Sequence, residues 1–247
     1  MKRSLDDNRL ILSINTSTAP FSVAVVKEDG TLVSETILTP PNKGFGSFMP
    51  ALHQVLSSTK VNLKDLKAVA VARGPGSFTG LRLGLAAAKG ICCGLKIPAV
   101  AVSGLEALAA QCSLTSFPVC PIIDSRRGEV FTALFQPLPG EEVRRIKEDT
   151  CLSFKALDGF VEGRTLFLGH DYARQAASLR AVLGDRAILA PLPLWSLRAS
   201  AVAFVALQKA KQHGFDDLNS LVPSYMRPPD IREPGKKKTE YRTQETG

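Results

Sequence analysis

Hydrophobic positions fall into short runs broken by polar turns, and their spacing changes along the chain. Residues 10–14 and 21–26 are apolar runs of strand length, separated by Asn15-Thr16-Ser17-Thr18-Ala19-Pro20. Asp29-Gly30 closes the second run as a hairpin turn, and 31–38 reads as a third strand. The opening is therefore an antiparallel meander with a hydroxyl-rich first turn. Pro40-Pro41-Asn42 interrupts it. Phe45, Phe48, Met49, Leu52 and Leu56 then recur at helical spacing. Pro50 belongs either in the first turn of a helix starting near Ser47 or at a kink. Residues 69–72 read as a buried strand, 73–77 as a loop, 78–95 as a helix and 99–102 as another strand. Ser103, with Glu106 three residues on, forms a capping box that opens a third helix.

The order over 10–110 is thus β-β-β-α-β-α-β-α, the plan of a ribonuclease H-like lobe. The second half begins again in the same way, with a strand at 119–123, a turn over 124–128 and a strand at 129–135. Ile-Leu-Ser-Ile-Asn (11–15) aligns with Cys-Pro-Ile-Ile-Asp (120–124), a weak internal repeat. Weak helices are expected near 153–162 and 171–183, and strands near 165–168 and 187–190. A stronger helix runs from about Ser196, read as its cap, to His213, with Gly214 ending it. The expected organisation is a first lobe over 10–103, with a segment near 214–227 returning to it, and a second, reduced lobe over 104–213. Residues 228–247 lack periodic apolar positions and are expected to form a disordered basic tail.

Composition narrows the class. Of 247 residues, 45% are hydrophobic and 22% charged, the balance of a globular domain rather than a disordered chain. No run of about 18 consecutive apolar residues points to a membrane span, and residues 1–9 do not read as a secretory leader. Five cysteines, odd in number and without a C-x-x-C pair, suggest free thiols in a reducing cytoplasm. Three well-separated histidines give no metal-site spacing. The net charge of +8 permits polyanion contact without demanding it.

The richest stretch is Arg-Gly-Pro-Gly-Ser-Phe-Thr-Gly-Leu-Arg-Leu-Gly (73–84). Its loop leads into a helix N-terminus, where outward N–H groups favour anions, but the Gly-Lys-Ser/Thr of a P-loop is missing. Asn15, Thr16 and Ser17 of the first turn, with Gly74, Gly76 and Ser77 of this loop, are candidates for a vestigial phosphate site. Asn15 is a poor ligand for a hard cation. Gly76, Gly80 and Gly84 recur every fourth residue, a flat strip that lets another helix approach. Leu81, Leu85, Ala88 and Cys92 flank it, and Leu83, Ala87, Ile91 and Gly94 lie opposite. A helix so apolar all round needs cover on more than one side, from its own sheet and from either a neighbouring helix or a partner. The candidate partner face is Phe45, Phe48, Met49, Leu52, Gly80, Leu81, Gly84, Leu85, Ala88 and Cys92. Asp124 and Glu129 flank a turn containing Arg126 and Arg127. They read as a charged hairpin with local ion pairing more readily than as an acid/base or metal pair.

Several segments resemble the TsaB (YeaZ) family, paralogues of the threonylcarbamoyltransferase TsaD. These are Ile-Leu-Ser-Ile-Asn-Thr-Ser-Thr (11–18), the 73–84 block, Val-Ser-Gly-Leu-Glu-Ala-Leu-Ala (102–109), Ile-Asp-Ser-Arg-Arg-Gly-Glu-Val-Phe (123–131) and Pro-Ser-Tyr-Met-Arg (223–227). The resemblance spans about 10–227. It implies an α/β actin/hexokinase-like (ASKHA) fold of two ribonuclease H-like lobes with mixed five-stranded sheets. It further implies a cytoplasmic, non-catalytic scaffold in threonylcarbamoyladenosine (t6A) modification of tRNA. Such a subunit pairs with TsaD or with a second copy, is joined by the ATPase TsaE, and reaches tRNA through the complex. No metal or intrinsic cofactor is implied, and ATP or ADP with Mg would enter only within the assembly. Two departures are Asn15, where the family usually has Asp, and the lack of a His over 42–48. The alternative is an ATPase or phosphotransferase of the same fold acting alone. A metallopeptidase is disfavoured by the missing histidines.

Overall fold

The computed structural model describes residues 9–39, 46–59, 61–125, 128–139 and 142–227. The expected tail over 228–247, the partner-face residue Phe45, and Arg126 and Arg127 lie outside the described residues. The first sheet comprises β1 (Leu10–Asn15), β2 (Phe21–Lys27), β3 (Leu32–Leu38), β4 (Leu66–Gly74) and β5 (Ala99–Ser103), in the order β3-β2-β1-β4-β5. β1 pairs antiparallel with β2 and parallel with β4. The second sheet comprises β6 (Val119–Asp124), β7 (Glu129–Pro137), β8 (Val143–Ser153), β9 (Thr165–Leu168) and β10 (Ala187–Leu189), in the order β10-β9-β6-β7-β8. Counted from its own first strand, the second sheet repeats the first: two antiparallel pairs, then parallel additions on the other side.

The helices repeat as well. α1 (Phe48–Ser58), α2 (Phe78–Leu95) and α3 (Gly104–Ala110) follow β3, β4 and β5. α4 (Leu157–Phe160), α5 (Tyr172–Leu183) and α6 (Ala199–His213) follow β8, β9 and β10. The fold is the expected actin/hexokinase-like one, two copies of one β-β-β-α-β-α-β-α unit. β8 escaped the sequence pattern because it is an edge strand. Its Arg144, Ile146 and Glu148 are exposed while Val143, Arg145 and Lys147 are half-buried, so charge alternates where apolar residues would normally signal a strand.

Period-two alternation divides the first sheet into two faces. Val69, Val71, Ala99 and Ala101 pack into the core beneath α1 and α2, while Ala70, Ala72, Val100 and Val102 join the core shared with the second sheet. α3 lies between the sheets, against β4 and β5 on one side and β6, β7 and β8 on the other. Ser103 caps it, its hydroxyl accepting from the Glu106 N–H at 3.5 Å. α6 begins at Ala199 without a side-chain cap, so Ser196 is not its N-terminus. The 104–213 boundary would assign α6 to the second lobe, yet it packs on β1, β2, β4 and β5 of the first as well as on α3. α1 starts at Phe48 with Pro50 in its first turn, where proline's missing N–H costs nothing.

After α6 the chain returns along the first sheet. Asp216 pairs with Ala99, and its carboxylate accepts from the Ala101 N–H at 2.6 Å. The Ser224 N–H donates to the Arg73 carbonyl at 2.7 Å. Tyr225 stacks on Phe78 at 5.1 Å between centroids, and Arg82 Nε donates to the Tyr225 hydroxyl at 3.0 Å. Arg227 pairs with Glu129 of the second sheet.

Candidate functional site

The first turn and the glycine loop come together as expected, and they fill each other. Asn15, Thr16, Ser17 and Thr18 are buried. The Asn15 amide donates to the Leu197 carbonyl at 2.8 Å, and its Oδ1 accepts from the Ser17 N–H at 3.0 Å and the Ser17 hydroxyl at 2.7 Å. The Ser17 carbonyl accepts from the Ser77 N–H at 2.7 Å, at the end of α2 where an anion would need to accept. Ser77 caps the helix, its hydroxyl accepting from Gly80 N–H at 3.3 Å. Gly76 has φ +153°, and a Cβ there would collide with the Ser17 carbonyl. A peptide carbonyl therefore already takes the Ser77 N–H, one of the donors a phosphate at this helix end would use.

The glycine strip has the same purpose. Gly84 faces Thr16, whose Oγ1 would collide with a Cβ at that position. Thr16 Oγ1 also donates to the Gly80 carbonyl at 2.7 Å. The strip lets the first turn, not a second helix, approach α2. The expected partner face needs correcting on the same ground. Gly80, Leu81, Gly84, Leu85, Ala88 and Cys92 are the buried residues of α2, and Phe48 and Leu52 are buried in α1. Phe48 meets Phe21 edge-on at 6.2 Å. Among the described candidates only Met49, at 60% exposure, faces outward.

The outer side of α2 is nonetheless largely apolar beyond Thr79 and Arg82, which are exposed in its first two turns. Ala86, Gly90, Cys93 and Gly94 are exposed, and Leu83, Ala87 and Ile91 are half-buried beside them. A Cβ at Gly90 or Gly94 would meet nothing within 4 Å. By length and composition α2 could cross a membrane, yet its inner side is packed into the core of this chain. Only 33% of its residues are buried. The spacing of Leu83, Ala87, Ile91 and Gly94 marked this side in the sequence; choosing between the two sides needed the sheet.

The second turn carries charge. Asp124 and Glu129 do not form a pair. Asp124 accepts from Gln175 Nε2 at 2.8 Å, lies 3.2 Å from Arg174 and has His170 Nε2 at 3.9 Å. Glu129 binds Arg227 and lies 3.6 Å from the Cys151 thiol. Burial pulls the His170 pKa below its usual 6.5, against the opposing pull of Asp124, and its Nδ1 has no hydrogen-bond partner among the described residues. Sequence spacing missed this contact because its members lie on β6 and on the β9–α5 connection. Among the described residues no group of three or more His, Cys, Asp or Glu is placed to hold a metal. All five cysteines are free. Burial raises the thiol pKa of Cys92 and Cys112 to about 11 and of Cys120 to about 12.

Comparison with known proteins places this geometry. Residues 46–229, more than half of the chain, match the family model of the tRNA N6-adenosine threonylcarbamoyltransferase TsaD. The chain is 34% identical over 219 residues to the tRNA threonylcarbamoyladenosine biosynthesis protein TsaB of Bacillus subtilis, covering 88% of this chain and 93% of that one. It is 37% identical over 128 residues to the protein of the same name from Escherichia coli, covering 51% and 54%. Among solved structures, YeaZ from Pseudomonas aeruginosa superposes with a TM-score of 0.73 at 23% identity, over 88% of this chain and 99% of that one, a likeness of fold. With B. subtilis TsaB matched along nearly its whole length and the double β-β-β-α-β-α-β-α unit in place, the chain belongs to the TsaB family.

Proposed function

We propose that this chain is a non-catalytic scaffold in t6A modification of tRNA, docking on the transferase TsaD and presenting the pair to the ATPase TsaE. The supporting observation is the outer side of α2, a strip of Ala86, Gly90, Cys93 and Gly94 left open on an apolar helix. Small residues let a second helix approach closely, and burying apolar surface there contributes about 25 cal/mol per Å². A second copy of the chain would use the same strip when TsaD is absent. The filled first turn supports the absence of catalysis by this chain alone, and ATP or ADP with Mg would then belong to the assembled complex. The protein would act in the cytoplasm and meet tRNA through its partners.

The test is reconstituted tRNA modification with TsaD, TsaE, the threonylcarbamoyl-adenylate-forming enzyme, ATP, threonine and bicarbonate, with and without this chain. Product that requires the chain, while the chain alone turns over nothing, is the expected result. Equal product without it would overturn the scaffold reading and favour an ATPase or phosphotransferase acting alone.

A further inference from the structure

Pro-Ser-Tyr-Met-Arg (223–227) enters neither the filled first turn nor the outer strip of α2. The fold lays it across the loop that precedes α2. The Ser224 N–H donates to the Arg73 carbonyl at 2.7 Å, and a Cβ at Gly74 would stand 2.8 Å from the Ser224 carbonyl. The segment is therefore seated closely on the loop. Tyr225 stacks on Phe78, with the ring centres 5.1 Å apart and the planes 28° from parallel. The Arg82 guanidinium lies 3.9 Å from the centre of the Phe78 ring, and its Nε donates to the Tyr225 hydroxyl at 3.0 Å. Two rings and an arginine from distant parts of the sequence thus form one cluster.

The cluster is open to solvent and carries uncompensated positive charge. Tyr225 is 41% exposed, and Arg73 and Arg82 are exposed beside it. Arg82 uses only Nε in the bond to Tyr225. Neither Arg73 nor Arg82 has a carboxylate partner among the described residues. The carboxylate that reaches this segment, Glu129, is taken by Arg227. Nucleobases stack on aromatic side chains held in place, while basic side chains track the phosphates. An acidic protein segment would use the two arginines and leave the exposed ring without a flat partner, so the combination favours nucleic acid. The net charge of +8 adds a long-range attraction for it. We infer that this surface binds an unpaired stretch of RNA directly. A base stacks on Tyr225, and neighbouring phosphates accept from Arg73 and Arg82. The choice of RNA over DNA rests on the t6A reading proposed above; the contact is the chain's own and needs no partner.

The probes are a fluorescent oligouridylate of about 12 nucleotides, within the usual range for single-strand sites, and an abasic oligoribonucleotide of equal length. Anisotropy on the full chain, without TsaD, measures both. The oligouridylate should bind about tenfold more tightly than the abasic strand, the gain typical of one stacked base. Tyr225→Leu should abolish that preference and Tyr225→Phe should keep it. Arg73→Gln should weaken both strands alike and reduce the slope of log affinity against log salt by about 0.7, the share of one single-strand phosphate. Arg73 makes no side-chain bond within the described chain, so this variant keeps the test decisive should Tyr225→Leu not fold. Equal affinity for the two strands, which binding by residues 228–247 alone would give, overturns the proposal. So does a preference that survives Tyr225→Leu, or an unchanged salt slope in Arg73→Gln. Loss of affinity for TsaD with unchanged RNA binding in Tyr225→Leu would assign the surface to a protein partner instead. None of these RNA measurements involves TsaD, so their failure leaves the scaffold reading standing.

Discussion

α2 and α5 occupy equivalent places, each crossing between the two outer parallel strands of its sheet, yet they meet solvent differently. α5 has 12 residues and turns Arg174 and Arg180 outward among Ala173, Ala177 and Ala181, while Ala176, Leu179 and Leu183 pack inward. α2 has 18 residues and turns Ala86, Gly90, Cys93 and Gly94 outward, with Thr79 and Arg82 exposed in its first two turns. The same topology therefore produces one helix with two arginines on its outer side and one whose outer side beyond Arg82 carries only small, uncharged exposed residues. Topology repeats because both halves solve the same sheet-covering problem. The surface differs because the side chains outside each helix differ, small and uncharged beyond Arg82 on α2 and interrupted by two arginines on α5. The two turns diverge in parallel. The first is buried and uncharged, whereas the second carries Asp124 against Arg174 and His170.

This comparison is most strongly tested on the inner side of α2. Leu85→Asp should cost at least about 4 kcal/mol, since it removes a core side chain and buries an unpaired carboxylate. Denaturant unfolding should show the monomer lost, not merely its complexes. Gly84→Val should cost about 3 kcal/mol through the clash with Thr16. If either variant folds with unchanged stability, α2 does not pack on the first turn as described.

The outer side should behave in the opposite way. Gly90→Arg points into open space, so the thermal midpoint should hold while affinity for TsaD falls about 30-fold or more, as for an interface centre. Ala177→Arg on α5, also exposed, should leave both unchanged. Equal loss of affinity in the two variants would mean that the apolar strip is not what distinguishes the halves.

Thiol labelling gives a smaller, local signal. Cys93 is exposed, whereas Cys92, Cys112 and Cys120 are buried with thiol pKa values raised to about 11 or above. A disulfide reagent at pH 8 should modify exposed Cys93 rapidly, half-buried Cys151 more slowly and those three only on unfolding, and Cys93→Ser should remove the fastest phase. In the complex with TsaD that phase should slow.

The smallest effect concerns the second turn. Burial lowers the His170 pKa below 6.5, so the unfolded chain binds the proton more readily than the native one. Stability should therefore fall as pH drops through 6.5 toward the native value, and be unaffected by this group well above 6.5. His170→Asn should flatten that part of the stability profile. An unchanged slope would mean that another group sets it.

Much of the fold was legible because burial imposes a period. The unbroken apolar run Val69 to Ala72 marks a strand covered on both faces, Asp29-Gly30 marks a hairpin by its turn chemistry, and the long apolar stretch of 78–95 marks a helix. β8 was missed because an edge strand needs little apolar signal, and the start of α6 was misplaced because Ser196, though a good capping residue, is not used as one. The strand–turn–strand over 10–27 and the glycine loop before α2 were each legible as local features, and the structure sets Ser17 of the one against Gly76 and Ser77 of the other. Whether that group is open or filled depends on the distance between Ser17 and Ser77, which no local pattern encodes.

The sequence by itself determined the family, the repeated order of elements and the apolar character of α2 all round, because these depend on residue types and short spacings. Only the tertiary structure decided which side of α2 is core and which is open. It also decided that the glycine strip receives the first turn, that Asp124 meets His170 and Arg174, and that α6 lies against the first sheet. The physical reason is common to all four. Helix and strand periods arise within one segment, but which apolar side is buried, and which polar group finds which partner, is settled by packing between segments far apart in the chain.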